Sequence, residues 1–161
     1  MKMKVLFLVI IFSSKSFGQS TIEMTNYNGD QVIKLTIENF VNMVDLCYND
    51  WETAIKVNGY KYMKTDGQFE YFSKGSYENK NEHMICKGRI KPQIDYTSFW
   101  QLGKDKSDVN NLIEDLKEYY SFDGKMGEMV FKYPKDKVFY QFVIYRSEYG
   151  DLIVVSKFSS N

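Results

Sequence analysis

A short pattern of rings and lysines occurs twice in this chain, and it constrains the fold more than anything else in the sequence. Tyr60-Lys61-Tyr62-Met63-Lys64-Thr65 returns further on as Phe131-Lys132-Tyr133-Pro134-Lys135-Asp136. Each copy then meets a turn, Asp66-Gly67 in the first and Pro134 to Lys137 in the second. Alternation with period two marks a half-buried strand, one face ringed and the other wet. Upstream, Phe40, Val41, Val44, Cys47 and Tyr48 stand ahead of Leu112, Ile113, Leu116, Tyr119 and Tyr120 by almost the same offset. Both sets follow the i, i+3, i+4, i+7 spacing of a helix face. A helix followed by an aromatic hairpin is therefore expected twice, over about 36–99 and 107–158. The expected class is α+β: two tandem helix–antiparallel-sheet repeats, with the helices packed on one face of the sheet.

The stretch 1–18 is read as a leader, a signal peptide rather than part of the fold. Lys2 and Lys4 give it a basic start, Val5 to Phe12 is an apolar run, and Ser16-Phe17-Gly18 supplies small residues where a signal peptidase cuts. A spanning helix needs about 20 apolar residues, so a membrane anchor is not expected. No cysteine stands at the cleavage site for lipid attachment. Export to the periplasm or the medium follows, with a mature chain of 19–161 forming one compact domain. The leader holds three of the 21 basic residues and none of the 21 acidic ones, so the mature chain carries a net charge of −3. That balance gives no electrostatic footprint for nucleic acid.

Local signals place the elements. Val32 to Leu35 reads as an edge strand. Thr36 is an N-cap, with Cys47 on the apolar stripe of the helix it starts. Asn49-Asp50-Trp51-Glu52 has the spacing of a capping box that restarts the helix, and Asn58-Gly59 stops it. A two-residue turn at Asp66-Gly67 sets Tyr62 opposite Tyr71 and Lys61 opposite Phe72, on different faces. His83 to Ile90 and Gln93 to Phe99 read as strands, and Ser107 caps the next helix. Gly124 and Gly127 weaken any second helix after it. Met129 to Tyr133, Val138 to Arg146 and Asp151 to Phe158 close the chain as strands. Counting back from the Ser147–Gly150 turn pairs Arg146 with Asp151 and Ile144 with Ile153. One face then collects Phe131, Tyr133, Tyr140, Phe142, Ile144, Ile153 and Val155, the floor for the helices. Phe139, Gln141, Val143, Tyr145, Leu152, Val154, Ser156 and Phe158 fall on the other.

Catalytic groups do not assemble. His83 and Cys86 are three apart in a strand, which puts them on opposite faces and argues against a shared metal site or a Cys–His pair. A strand-edge or surface histidine is the expectation. Glu114, Asp115 and Glu118 lie on the outward side of a helix, as a solvated face does. No phosphate loop, nucleophile elbow or H-E-x-x-H helix occurs, and no cofactor or metal is expected. Cys47 and Cys86 form an even pair in a chain read as exported, and a disulfide between them is expected. The competing reading is two small buried hydrophobes. Aromatic residues make up 17% of the chain. Those expected on the second sheet face, Phe72, Phe139, Tyr145 and Phe158 with Lys61 and Met63, match the composition of a protein-binding surface.

A helix pair, the Gly59-Tyr60-Lys61-Tyr62 start of a hairpin and its echo at Phe131-Lys132-Tyr133 give a layout that resembles the small exported tandem-repeat proteins of Gram-negative bacteria. It is similar to the architecture of the beta-lactamase inhibitor protein and its structural relatives. The resemblance covers most of the mature chain and implies helices on one sheet face with the opposite face available for binding. It carries over no functional residue. The expected function is a non-catalytic exported binding protein, an inhibitor or immunity-type partner of another protein. A carrier of a small apolar ligand is the alternative, and an enzyme with an unrecognised site is a third.

Overall fold

The computed structural model describes residues 22–27, 29–75, 82–88, 96–102, 106–123 and 127–159. Residues 1–18, read above as a leader, the segment around Pro92, and Gly124 lie outside them. A hairpin of β1 (Met24–Tyr27) and β2 (Asp30–Ile33) leads to helices α1 (Ile37–Asp45) and α2 (Tyr48–Val57). Strands β3 (Lys61–Asp66), β4 (Phe69–Lys74), β5 (His83–Gly88) and β6 (Tyr96–Leu102) follow. Then come α3 (Ser107–Leu116), a 3-10 turn at Lys117–Tyr119, and strands β7 (Tyr120–Asp123), β8 (Glu128–Lys135), β9 (Val138–Arg146) and β10 (Gly150–Ser159).

β3 to β10 make one antiparallel sheet of eight strands in the order β3-β4-β5-β6-β10-β9-β8-β7. The chain is thus α+β, with helices the minor part. Each helical segment feeds a run of four consecutive strands, and the runs meet where β6 pairs with β10. The ring-and-lysine correspondence does not map onto this order. It aligns β3, an edge strand, with β8, which is second from the other edge; by position in the sheet β3 answers to β7. Where the first run has α2, the second has only the 3-10 turn at Lys117–Tyr119 before β7.

Thr36 caps α1 as its composition requires, its Oγ1 accepting from Asn39 N at 3.2 Å. Phe40, Val41, Met43 and Val44 carry α1 into the core. Leu46 leaves helical space at ψ 136°, and α2 starts with Cys47 at its N-cap, a side chain that makes no capping bond. Neither the expected capping box nor the expected place of Cys47 on the first helix's stripe is observed. Gly59, at φ +84°, ends α2.

The second expected register holds. Arg146 pairs with Asp151 and Ile144 with Ile153. Phe131, Tyr140, Phe142, Ile144, Ile153 and Val155 are buried under the helices with Phe72, Ile85 and Phe99. The first register does not hold. The loop is Gly67-Gln68, one residue later than the Asp-Gly reading, and Asp66 pairs with Phe69. Gly67 takes φ +59° at the first loop position, as tight hairpin turns require. A bulge then falls between Tyr62 and Lys64, so Tyr62 pairs with Phe72 and Lys61 with Ser73. Phe72 is therefore a core residue with no exposed surface, its ring edge-on to Trp51 at 5.5 Å. Finally, Val32 belongs to a separate two-stranded sheet and not to the edge of the large one.

Candidate binding face

The two faces of the large sheet differ in what covers them. Among the described residues, α1, α2, α3 and the β1–β2 hairpin all contribute to the single apolar cluster on one face. The opposite, bare face carries Tyr71, Met84, Cys86, Ser98 and Leu152 around a shallow hollow of about 380 Å³. Val143, Val154, Gln141 and Tyr145 continue it as half-buried side chains. Phe139 and Phe158 pair across β9 and β10 with stacked rings 5.1 Å apart. Phe158 is 42% exposed, while a core ring such as Phe142 is sealed.

Cations rim this face. Lys132 Nζ lies 5.9 Å from the Phe139 ring centre, and Lys64 Nζ 5.3 Å from that of Tyr71. Lys61 projects from the same side of β3. Acidic groups are fewer: Asp66 stands 4.0 Å from Lys64, and Tyr145 has Glu128 beside it. Burial, with the charge and hydrogen bond of Glu128, raises the Tyr145 hydroxyl above its usual pKa. Of the six residues expected on this face, Lys61, Phe139, Tyr145 and Phe158 stand on it. Met63 is exposed at the bulge of the edge strand, and Phe72 lies on the other side. Tyr71, Met84 and Lys132 join them without having been expected. Lys132 was legible from its alternation with Phe131 and Tyr133.

The expected disulfide is not formed. Cys47 is exposed at the α1–α2 junction, where its thiol donates to Asp50 Oδ2 at 3.0 Å. Cys86 is buried on the bare face, between Ile85 and Lys87, which point to the helices. β5 does pass beneath the helices, but strand parity turns Cys86 away from them. Burial pushes its thiol pKa up, against the hydrogen bonds with Ser98 and Tyr71.

Lys87 is a charge that periodicity does not reveal. It shares the core face with Ile85 and is fully buried. Its Nζ donates to the carbonyls of Met43 at 2.6 Å, Val44 at 3.3 Å and Leu46 at 2.6 Å. A cation there satisfies orphan acceptors at the end of α1 and suits the helix dipole. Burial lowers its pKa to about 8, against the pull of Cys47 and Asp45. Asp45 in turn accepts from the Tyr140 hydroxyl at 2.8 Å and pairs with Lys157 at 2.7 Å. These bonds fasten α1 to the sheet.

His83 is buried on the core face, with Cys86 on the other, as their spacing requires; it is not the surface histidine expected. Glu114, Asp115 and Glu118 are solvated. Among the described residues no three of His, Cys, Asp and Glu are grouped so as to hold a metal, and no helix is long and apolar enough to cross a membrane. No protein-family model matches the chain, and no curated protein or solved structure matches it either.

Proposed function

We propose that this is an exported, non-catalytic binding protein that holds another protein against its bare sheet face, as an inhibitor or an immunity-type partner does. The leader residues Lys2 to Gly18 support export to the periplasm or beyond. One observation carries the rest: apolar and aromatic side chains, including the stacked Phe139–Phe158 pair, line a sheet face that no described helix covers. Such patches are uncommon on monomers without a use. Lys61, Lys64 and Lys132 outnumber Asp66 and Glu128 there, which fits a partner presenting an apolar segment flanked by carboxylates. The two helix–strand runs are read within this proposal as divergent tandem repeats whose joined sheet supplies that face.

Affinity capture with matched baits tests it. Wild type and Val57→Ser, a control whose side chain is exposed on α2, should retain the same protein. Phe139→Ser with Phe158→Ser should lose it, and Lys132→Glu should weaken it most at low salt. Equal retention by all baits overturns the assignment of the face.

The shallow hollow around Cys86 is the feature that favours the carrier reading. It opens onto the same face, and an open hollow covers less of a ligand than the enclosed pockets that bury most of one.

A further inference from the structure

His83 is the only histidine in the chain and is deeply buried, 1% exposed at the start of β5. Neither ring nitrogen has a hydrogen-bond partner among the described residues. What covers it is the N-terminal hairpin: Tyr27 at the end of β1 sets its ring edge-on at 4.9 Å, with Phe99 of β6 on another side at 5.9 Å. The hairpin shares no ladder with the large sheet. It is tied down at its far end by Asn39, which accepts from Glu23 N and donates to the carbonyls of Glu23 and Lys34 at 2.8–2.9 Å. The Tyr60 hydroxyl adds an acceptor for Ile33 N. At the other end, the Tyr27 ring rests on the imidazole itself.

We infer that protonation of His83 unseats the β1–β2 hairpin from the large sheet, making the hairpin an acid-released cover over the helix-side core. A charged imidazole without partners in an apolar slot is costly, and lifting Tyr27 admits the water that relieves it. Asp30 of β2 favours the charged ring and Lys74 of β4 opposes it. Asp151 of β10 lies in the same cross-strand row, two strands away, and faces Arg146 and Lys106. Burial outweighs the pull of Asp30 and holds the ring neutral, with a pKa of about 4. The sign follows. The open hairpin leaves His83 near its ordinary value of about 6.5, so between about 6.5 and 4 the open state binds a proton that the closed state lacks. Closure weakens by close to tenfold per pH unit across that window and levels off below it.

Hydrogen exchange on the full chain, corrected for intrinsic rates, reads this directly. Amides of residues 24–33 should lose protection between pH 7 and pH 4, while those of β8 to β10 keep theirs. His83→Phe, which fills the slot with an uncharged ring, should hold the hairpin protection flat. The lone imidazole proton signal gives a second reading in wild type, with a midpoint that tracks hairpin opening. Three results would overturn the latch: flat hairpin protection in wild type, the same loss in His83→Phe, or simultaneous loss in every strand.

Discussion

Phe139 and Phe142 stand close together on β9 and occupy different media. Phe142 is sealed beneath α1, edge-on to Phe40 at 6.0 Å; Phe139 stacks on Phe158 on the bare side and keeps part of its ring in solvent. The same contrast runs across the sheet. On one face the rings are held by three helices and a hairpin, and polar groups among them are pinned: Lys87 by three carbonyls, Tyr140 by Asp45. On the other, Phe139 and Phe158 stack on each other, and the ammonium groups of Lys132 and Lys64 stand over Phe139 and Tyr71. Composition alone does not separate these faces, since both are rich in rings. The difference is which of them found a cover, and stability should follow the covered face.

Truncation of the covered face should give the largest effect. Phe142→Ala should lower unfolding free energy by about 3–5 kcal/mol in chemical denaturation, from lost burial and the cavity left behind. Lys87→Met comes next. It keeps the buried stem but leaves the last carbonyls of α1 without a donor, and a loss of about 1–3 kcal/mol is expected. Phe139→Ser should cost about 1–2 kcal/mol, less than Phe142→Ala, because its ring is only partly buried and its loss leaves no sealed cavity. Losses of similar size for Phe139→Ser and Phe142→Ala would erase the distinction between the faces. Thiol chemistry sharpens the comparison without perturbing the fold. A disulfide-exchange reagent should label Cys47 at once in the native protein and Cys86 only on unfolding, two thiols in all. Rapid labelling of both would mean that the bare face is looser than its packing indicates.

The sheet was legible wherever a strand pair ran unbroken from a clear turn. β9 and β10 did so, and their register and both faces follow from counting outward from the Ser147–Gly150 turn. β3 and β4 were not legible, because two one-residue events are hidden in a locally plausible pattern. The turn slides to Gly67-Gln68, and the Met63 bulge shifts the register again. A single slip moves a side chain through the sheet, and that is how Phe72 changed sides. His83 was misplaced for a different reason. Its cover comes from Tyr27 on β1, with α1, α2 and three strands intervening along the chain, and no local periodicity reports a contact of that range. The ring-and-lysine echo remains visible in sequence while the sheet aligns other strands, so part of the candidate face was readable and its β3–β5 side was not.

The separation of the two cysteines has a consequence for the history of each molecule. An eight-stranded sheet stands between a thiol at the α1–α2 junction and one on the opposite surface. No bond can join them while that wall is intact, since the Cys86 side chain points away from the helices and bonded cysteines need side chains that face each other. In oxidising surroundings a link between Cys47 and Cys86 can form only in a chain that has come apart, and once formed it bars the way back until it is reduced. A bridged molecule would thus be a lasting mark of a past unfolding, and its fraction after storage under air would count how often the wall has opened.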